Sequence, residues 1–286
     1  MRFIRTASLV LAVTLAGCAT APVHHHWENR LRGDAIVLLG EIHDNAEHHR
    51  QRLDILRHAF IAGWRPAIVL EQFDRERQAD IDRARGEKPS DAQHVIHLAA
   101  QAAGGAGGSW NWDYYRPFVA LALEYGVPLI AANLSNADTS KVVREGFAIL
   151  FDAGQTNSLG LEQAMSAALQ IAQEREIDTG HCNVLPAKML PAMARGQMAR
   201  DAVMASILSK HSAQGVVLIA GNGHVRRDIG VPHWLSPAQR VRTIAVGFLE
   251  QDGSPAPDAA FDAIVRTAAA ERADPCIEFK KRMRPR

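Results

Sequence analysis

Ala35-Ile-Val-Leu-Leu-Gly40-Glu41-Ile-His43-Asp44 decides how this chain is read. A run of apolar residues stops at a glycine, and three ionisable side chains follow within four positions. Such a run bounded by Gly reads as a buried strand, and the Gly permits a sharp turn at its end. Val216-Val-Leu-Ile-Ala220-Gly221-Asn222-Gly223-His224 repeats the design, with a His three residues beyond the Gly. Two further runs, Ala67-Ile-Val-Leu-Glu71-Gln72 and Pro128-Leu-Ile-Ala-Ala-Asn133, also end in polar residues. Helical stretches separate the four. Strands alternating with helices predict an α/β fold, a mostly parallel sheet covered by helices on both faces. In such sheets ligands bind beyond the carboxyl ends of the strands. That rim, with Glu41, His43, Glu71, Asn133, Asn222 and His224, is where a site is expected.

Outward from these strands, Asn45 to Ala62 reads as a helix, with Leu53, Leu56 and Phe60 at helical spacing. Further helices are expected over about 75–84 and 92–103. The glycine-rich stretch Gly104–Gly108 then breaks the chain; it lacks the Lys-Ser/Thr ending of a phosphate loop and follows a helix. The densest aromatic patch comes next, Ser109-Trp110-Asn111-Trp112-Asp113-Tyr114-Tyr115-Arg116-Pro117, and Pro117 suits the first turn of a helix reaching about Tyr125. Asp138 to His211 is predominantly helical, a helical insertion before the strand at 216, with helices over about 139–151, 161–177 and 187–210. A strand over 241–246 and an edge strand in Phe261–Val265 complete the pattern.

The chain has 286 residues and a formal charge of +1, enough length for a sizeable core and no electrostatic case for nucleic acid. At its start, Arg2 and Arg5 precede a short apolar core, Ala7 to Leu15, closed by Leu15-Ala16-Gly17-Cys18. This is a secretory signal too short to span a bilayer stably, and its ending is similar to a bacterial lipobox, in which the Cys is acylated. Two or three acyl chains would hold the protein on a membrane. Ala19 after the Cys favours the outer membrane, facing the periplasm, within the bacterial cell envelope. The boundaries expected are 1–17 for the signal peptide, 18–30 for lipidated Cys18 and a tether containing His24-His25-His26, 31–250 for the α/β domain and 251–286 for a C-terminal segment. Export permits disulfides, and Cys182 and Cys276 are the two cysteines left to form one.

Two His and two Glu at one rim suit three chemistries. Glu41, His43, Glu71 and His224 could ligate a divalent metal such as Zn or Mn, with a carboxylate as general base. They could act as acid and base on a water. Or they could be a structural network. Separately, Trp110, Trp112 and Tyr114 alternate, so in an extended loop they would share a face. Such a face suits a flat apolar ligand like haem, with Tyr114 or Tyr115 as axial ligand and Arg116 or Arg200 near its propionates. Met193, Gln197, Arg200, Asp201 and Met204 recur on one helix face; either this face looks into a pocket, or it buries an Arg200–Asp201 pair with thioethers filling gaps.

Together, Leu39–Asp44, Val69–Gln72, Trp112–Tyr115, Ile130–Asn133, His181-Cys182, Gln197-x-x-Arg-Asp201 and Gly221–His224 resemble the ChaN family of iron-regulated haem-binding lipoproteins, over about Leu31 to Phe248. The resemblance implies an erythromycin-esterase/ChaN-type α/β fold of the Tiki superfamily. It further implies haem binding during iron uptake, a tyrosine as iron ligand and haems held at a homodimer interface. The wider superfamily contains metal-dependent proteases and esterases with similar corners, which keeps a metal-dependent hydrolase as the alternative expectation.

Overall fold

A computed structural model describes residues 26–101, 110–161, 166–251 and 260–283. The signal peptide, Cys18, His24, His25 and the glycine-rich stretch lie outside them. Among the described residues six strands form one sheet: β1 (Ile36–Leu39), β2 (Ala67–Asp74), β3 (Leu129–Asn133), β4 (Val216–Ile219), β5 (Thr243–Glu250) and β6 (Ala263–Thr267). Their spatial order is β3-β2-β4-β1-β5-β6, and every pairing is parallel, so the sheet is parallel throughout.

The continuous apolar runs follow from burial on both faces. Val37, Leu39, Ile68, Leu70, Val217 and Ile219 enter one core. It is covered by α1 (Ala46–Ile61), α2 (Gln78–Glu87), α3 (Ala92–Ile96) and α4 (Trp112–Glu124). Ile36, Leu38, Val69, Val216 and Leu218 enter the other. The connection from β3 to β4 supplies α5 (Asn136–Glu145), α6 (Ala153–Ser158), α7 (Ala167–Gly180) and α8 (Leu190–His211). Of these, α8 lays Met204 and Leu208 on the second core. Short helices α9 (Asn222–Val225), α10 (Val231–Trp234) and α11 (Pro237–Val241) lead from β4 to β5, and α12 (Pro275–Met283) follows β6.

Several elements differ in their bounds from the sequence-based expectation, three of them as follows. The Asn111 side chain accepts from Asp113 N at 3.3 Å and starts α4 at Trp112, placing Pro117 inside the helix rather than in its first turn. A capping box, Ser236 with Gln239, turns 237–241 into a helix and delays β5 to Thr243. The edge strand begins at Ala263 and adds β6 beside β5. Asn222 ties β5 to the end of β4: its amide donates to Phe248 O at 2.7 Å and accepts from Phe248 N at 3.1 Å. A methyl group on Gly40 would lie 2.1 Å from Asn222 Oδ1, so β1 must end in Gly there.

Cys182 and Cys276 form a disulfide, with Cα atoms 5.5 Å apart across a sequence separation of 94. It fastens α12 to the turn between α7 and α8. Arg272 anchors the same segment, pairing with Asp44 at 2.8 Å and with Glu250 through both terminal nitrogens. Closing so long a loop constrains the unfolded chain, by roughly 2–4 kcal/mol in typical proteins. Replacing both cysteines by serine is therefore expected to lower the unfolding free energy by that order and to steepen its denaturant dependence, because the freed unfolded chain exposes more surface. Equilibrium unfolding of both forms under non-reducing conditions checks this.

Candidate functional site

Because all strands run the same way, Glu41, Glu71, Asn133 and Gly221 meet at one edge of the sheet. The side chains there divide into two clusters, each built around buried acid.

The first surrounds Glu41, buried after β1. Its Oε1 accepts from Tyr115 OH at 2.5 Å and from His43 Nδ1 at 2.6 Å, and its Oε2 is ion-paired with Arg52, itself wholly buried on α1. Burial alone would raise the Glu41 pKa, but Arg52, the His43 hydrogen bond and His49 outweigh it and hold the carboxyl far below its ordinary value. Tyr115 moves the other way, since burial and the Glu41 anion push its phenol well above the ordinary range. His49 accepts from Arg52 at 2.8 Å, and its other nitrogen lies 3.0 Å from His43 O. Burial, with the Arg52 charge, depresses His49 to about 4 despite Glu41, so at neutral pH it is uncharged.

The second cluster surrounds His224, 6% exposed. Nδ1 donates to Asp201 Oδ1 at 2.5 Å, and Nε2 lies 3.4 Å from Glu71 Oε1. Glu71 Oε2 also accepts from Gly221 N at 2.8 Å. Burial disfavours the imidazolium, but Glu71 and Asp201 outweigh it and raise the His224 pKa to about 10. The ring is therefore cationic, and both nitrogens donate. Gln197 Nε2 lies 3.2 Å from each ring nitrogen. Glu71 is lowered to about 2: burial opposes the shift and the His224 charge and hydrogen bond overcome it. Asp201 is raised, because burial of its anion exceeds what His224 returns.

His43 lies between the clusters. A methyl group on Gly221 would lie 3.0 Å from its Cε1 and Nε2, so the second Gly corner makes room for the His of the first. Its side chain is 47% exposed. Burial works against its charge, but the Glu41 hydrogen bond and the Glu71 charge raise its pKa. Trp110 meets it edge-on at 4.7 Å between centroids, and Tyr114 stacks on His49 at 4.4 Å. Nearby, both amide atoms of buried Gln72 and Asn133 Oδ1 have no hydrogen-bond partner.

The rim thus brings Glu41, His43, Glu71 and His224 together, with His224 already bonded between Asp201 and Glu71. Glu41 is already shared by Arg52, Tyr115 and His43. Among the described residues no group of three or more His, Cys, Asp or Glu is arranged to hold a metal ion.

A family model described as haem-binding uptake, Tiki superfamily, ChaN, matches residues 27–235. The chain belongs to the ChaN family. Among solved structures it is similar to ChaN of Campylobacter jejuni, whose structure is described as showing cofacial haem binding. The identity is 19% and the TM-score 0.63, over 82% of this chain and 88% of that one. An erythromycin esterase, EreC, matches at 15% identity and a TM-score of 0.44, over 87% of this chain and 80% of that one. No curated protein matches the sequence.

The remaining expected residues of this ChaN-family chain are placed as follows. Helix α4 overturns the extended face of Trp110, Trp112 and Tyr114: at helical period Trp112 turns inward beside Tyr115, buried and 4.9 Å from Phe73. Tyr114 stays partly exposed, and Arg116 is exposed with Asp113 at 3.3 Å. Arg200 donates to Asn136 Oδ1 at 2.6 Å and to Thr139 Oγ1 at 3.1 Å, while Asp201 serves His224, so the two do not pair with each other. Met204 is fully buried against the sheet, not facing a pocket, because its position on α8 points at the second core. Sequence reasoning missed Arg52 and His49. Their signal was a polar trio, His48, His49 and Arg52, at i, i+1 and i+4 on a helix otherwise read through Leu53 and Phe60.

His224 provides a test. A folded-state pKa raised from 6.5 to about 10 contributes stability that is full below about pH 6.5 and is lost as pH rises through about 10. Glu71, lowered from 4.5 to about 2, contributes stability present above its ordinary value and lost as pH falls through about 2. His224→Gln, leaving two buried carboxylates without a cation, is expected to cost about 3–5 kcal/mol at neutral pH. Denaturant unfolding from about pH 8 to about pH 11 should show the wild type losing stability and the variant nearly flat over that window.

Proposed function

We propose that this chain is a membrane-anchored haem-binding lipoprotein taking part in haem or iron uptake or storage, with Tyr114 as the phenol that meets the iron. Membership of the ChaN haem-binding uptake family supports the ligand. The observation that carries the residue is the division of labour between the two tyrosines. Tyr115 spends its hydroxyl on Glu41 at 2.5 Å, and burial with that anion disfavours its phenolate. Tyr114 stands partly exposed on α4, its ring laid on the uncharged His49 at 14° between planes. Trp110 lies edge-on to His43, whose side chain is 47% exposed. Arg116, two positions further along α4, falls on another side of the helix. An aromatic surface with a partly exposed phenol is the kind of surface that would receive a haem. Haem is the cargo here, and the protein's part is to hold it. A homodimer that encloses haem, and anchorage through acylated Cys18 at the outer membrane, belong to the same proposal.

Titration with haemin, followed by the Soret band, tests it. Tyr114→Phe is expected to weaken binding by at least about tenfold, the scale of one lost ligand or strong contact. Tyr115→Phe should keep binding but lose about 1–3 kcal/mol of stability, since Glu41 loses a buried donor. Unchanged binding by Tyr114→Phe would sink the assignment. Labelling with a fatty acid, lost in Cys18→Ser, tests the anchor independently.

A further inference from the structure

The end of the sheet opposite the rim has its own chemistry. Strands β1, β2, β4 and β5 begin there, and the segments 26–35, 61–66, 210–215 and 236–243 lead into them. In a chain with an overall charge of +1, these segments carry Arg30, Arg32, Arg65, Lys210, Arg240 and Arg242 against Glu28 and Asp34. Asp34 is already paired with Arg242 at 2.6 Å. The last turn of α1 adds exposed Arg57. Arg65 donates to the carbonyl oxygens of Phe60 and Trp64 and lies over the Tyr125 ring at 4.6 Å, contacts that leave its charge without a counter-ion among them. Two apolar side chains also stand in solvent at this pole, Ile61 at 75% exposure and Val241 at 83%.

Two hollows connect part of this pole. A cavity of about 730 Å³ is lined by Arg32, Gly33, Asp34, His58, Trp64 and Arg65. An adjoining hollow shares Arg32, Gly33 and Asp34 with it and extends to Arg30 and Arg242. The described chain also enters here, at His26, only eight residues from Cys18. Eight residues reach at most about 3.6 Å each, so this pole stays within about 30 Å of that cysteine in any conformation.

We propose that this pole is a docking face for an anionic phospholipid bilayer, with the arginines at the headgroup phosphates and Ile61 and Val241 at the interface. Basic charge together with exposed apolar side chains favours lipid over a purely ionic partner. Its setting rests on the anchored reading above, but its physics does not. Docked in this way, the domain turns Tyr114, His43 and the rim away from the lipid.

The test uses the full chain carrying Cys18→Ser, co-sedimented at low salt with phosphatidylcholine vesicles and with vesicles holding about 30% phosphatidylglycerol. The leader, with Arg2 and Arg5 before an apolar core, itself favours anionic vesicles, so the comparison of parent with variants on the same vesicles carries the test. The anionic vesicles are expected to capture at least about tenfold more protein, given roughly fivefold per basic residue near a charged surface. Arg30→Glu/Arg32→Glu/Arg57→Glu should remove most of that gain, and Ile61→Ser/Val241→Ser should reduce it about threefold. Equal capture by both vesicle types, or a triple variant that behaves as its parent, overturns the proposal. Acylation of Cys18 is read separately by fatty-acid labelling, so failure of the anchor and failure of the docking face are distinguishable.

Discussion

Burying carboxylates at the ends of parallel strands is the constraint around which this molecule is arranged. Glu41, Glu71 and Asp201 are each inside the protein, and an isolated buried anion is far too costly to keep. Each therefore draws a cation inward: Arg52 crosses from α1 to Glu41, and His224 holds its second proton between Glu71 and Asp201. These pairs bridge layers. Arg52 joins α1 to the end of β1 and also donates to Leu39 O at 3.2 Å. The Asp201–His224–Glu71 chain joins α8 to β2 through the corner after β4. Losing one member would leave its partner unpaired, which is why such networks fix a single arrangement even when their net contribution to stability is small.

That constraint explains what could and could not be read from the residues alone. The strands were legible because burial on both faces imposes unbroken apolar runs, and the rim was legible because each run ended in a polar residue. The two Gly-x-x-His corners were legible as well, but their difference was not. His43 ends half exposed on one carboxylate, whereas His224 is buried between two, and that depends on Asp201 arriving from a helix 23 residues upstream. The aromatic patch went astray through its period. Read as a loop, it put Trp112 and Tyr114 on one face; the Asn111 cap made it helical and sent Trp112 inward with Tyr115. Arg52 was hidden by its type, because a wholly buried arginine on an amphipathic helix looks like solvated charge until its partner is known.

The histidines of this chain differ in charge according to what surrounds them. Here His224 is a cation by virtue of its neighbours, and His43 is pushed in the same direction by Glu41 and Glu71. The histidines with depressed values, His48 and His49, lie one turn into α1, where burial and Arg52 disfavour a second positive charge. His49 then offers an uncharged flat surface, and Tyr114 occupies it. Neutral imidazole is thus found beside the partly exposed phenol.

A parallel sheet has two unlike ends, and this chain uses the difference. At the carboxyl ends the side chains close into paired, buried networks, with an opening at His43, Trp110 and Tyr114. At the amino ends the loops are short and carry an excess of basic residues, and two large apolar residues face outward. The disulfide and the Arg272 clamp belong to the first end: they bring the last described helix back across to the α7–α8 turn, while the described chain starts, at His26, at the second. On the proposed reading, anchor and ligand would lie at opposite ends of the sheet. A ligand held at Tyr114 would be presented away from the surface that the basic pole meets, without any change in the fold.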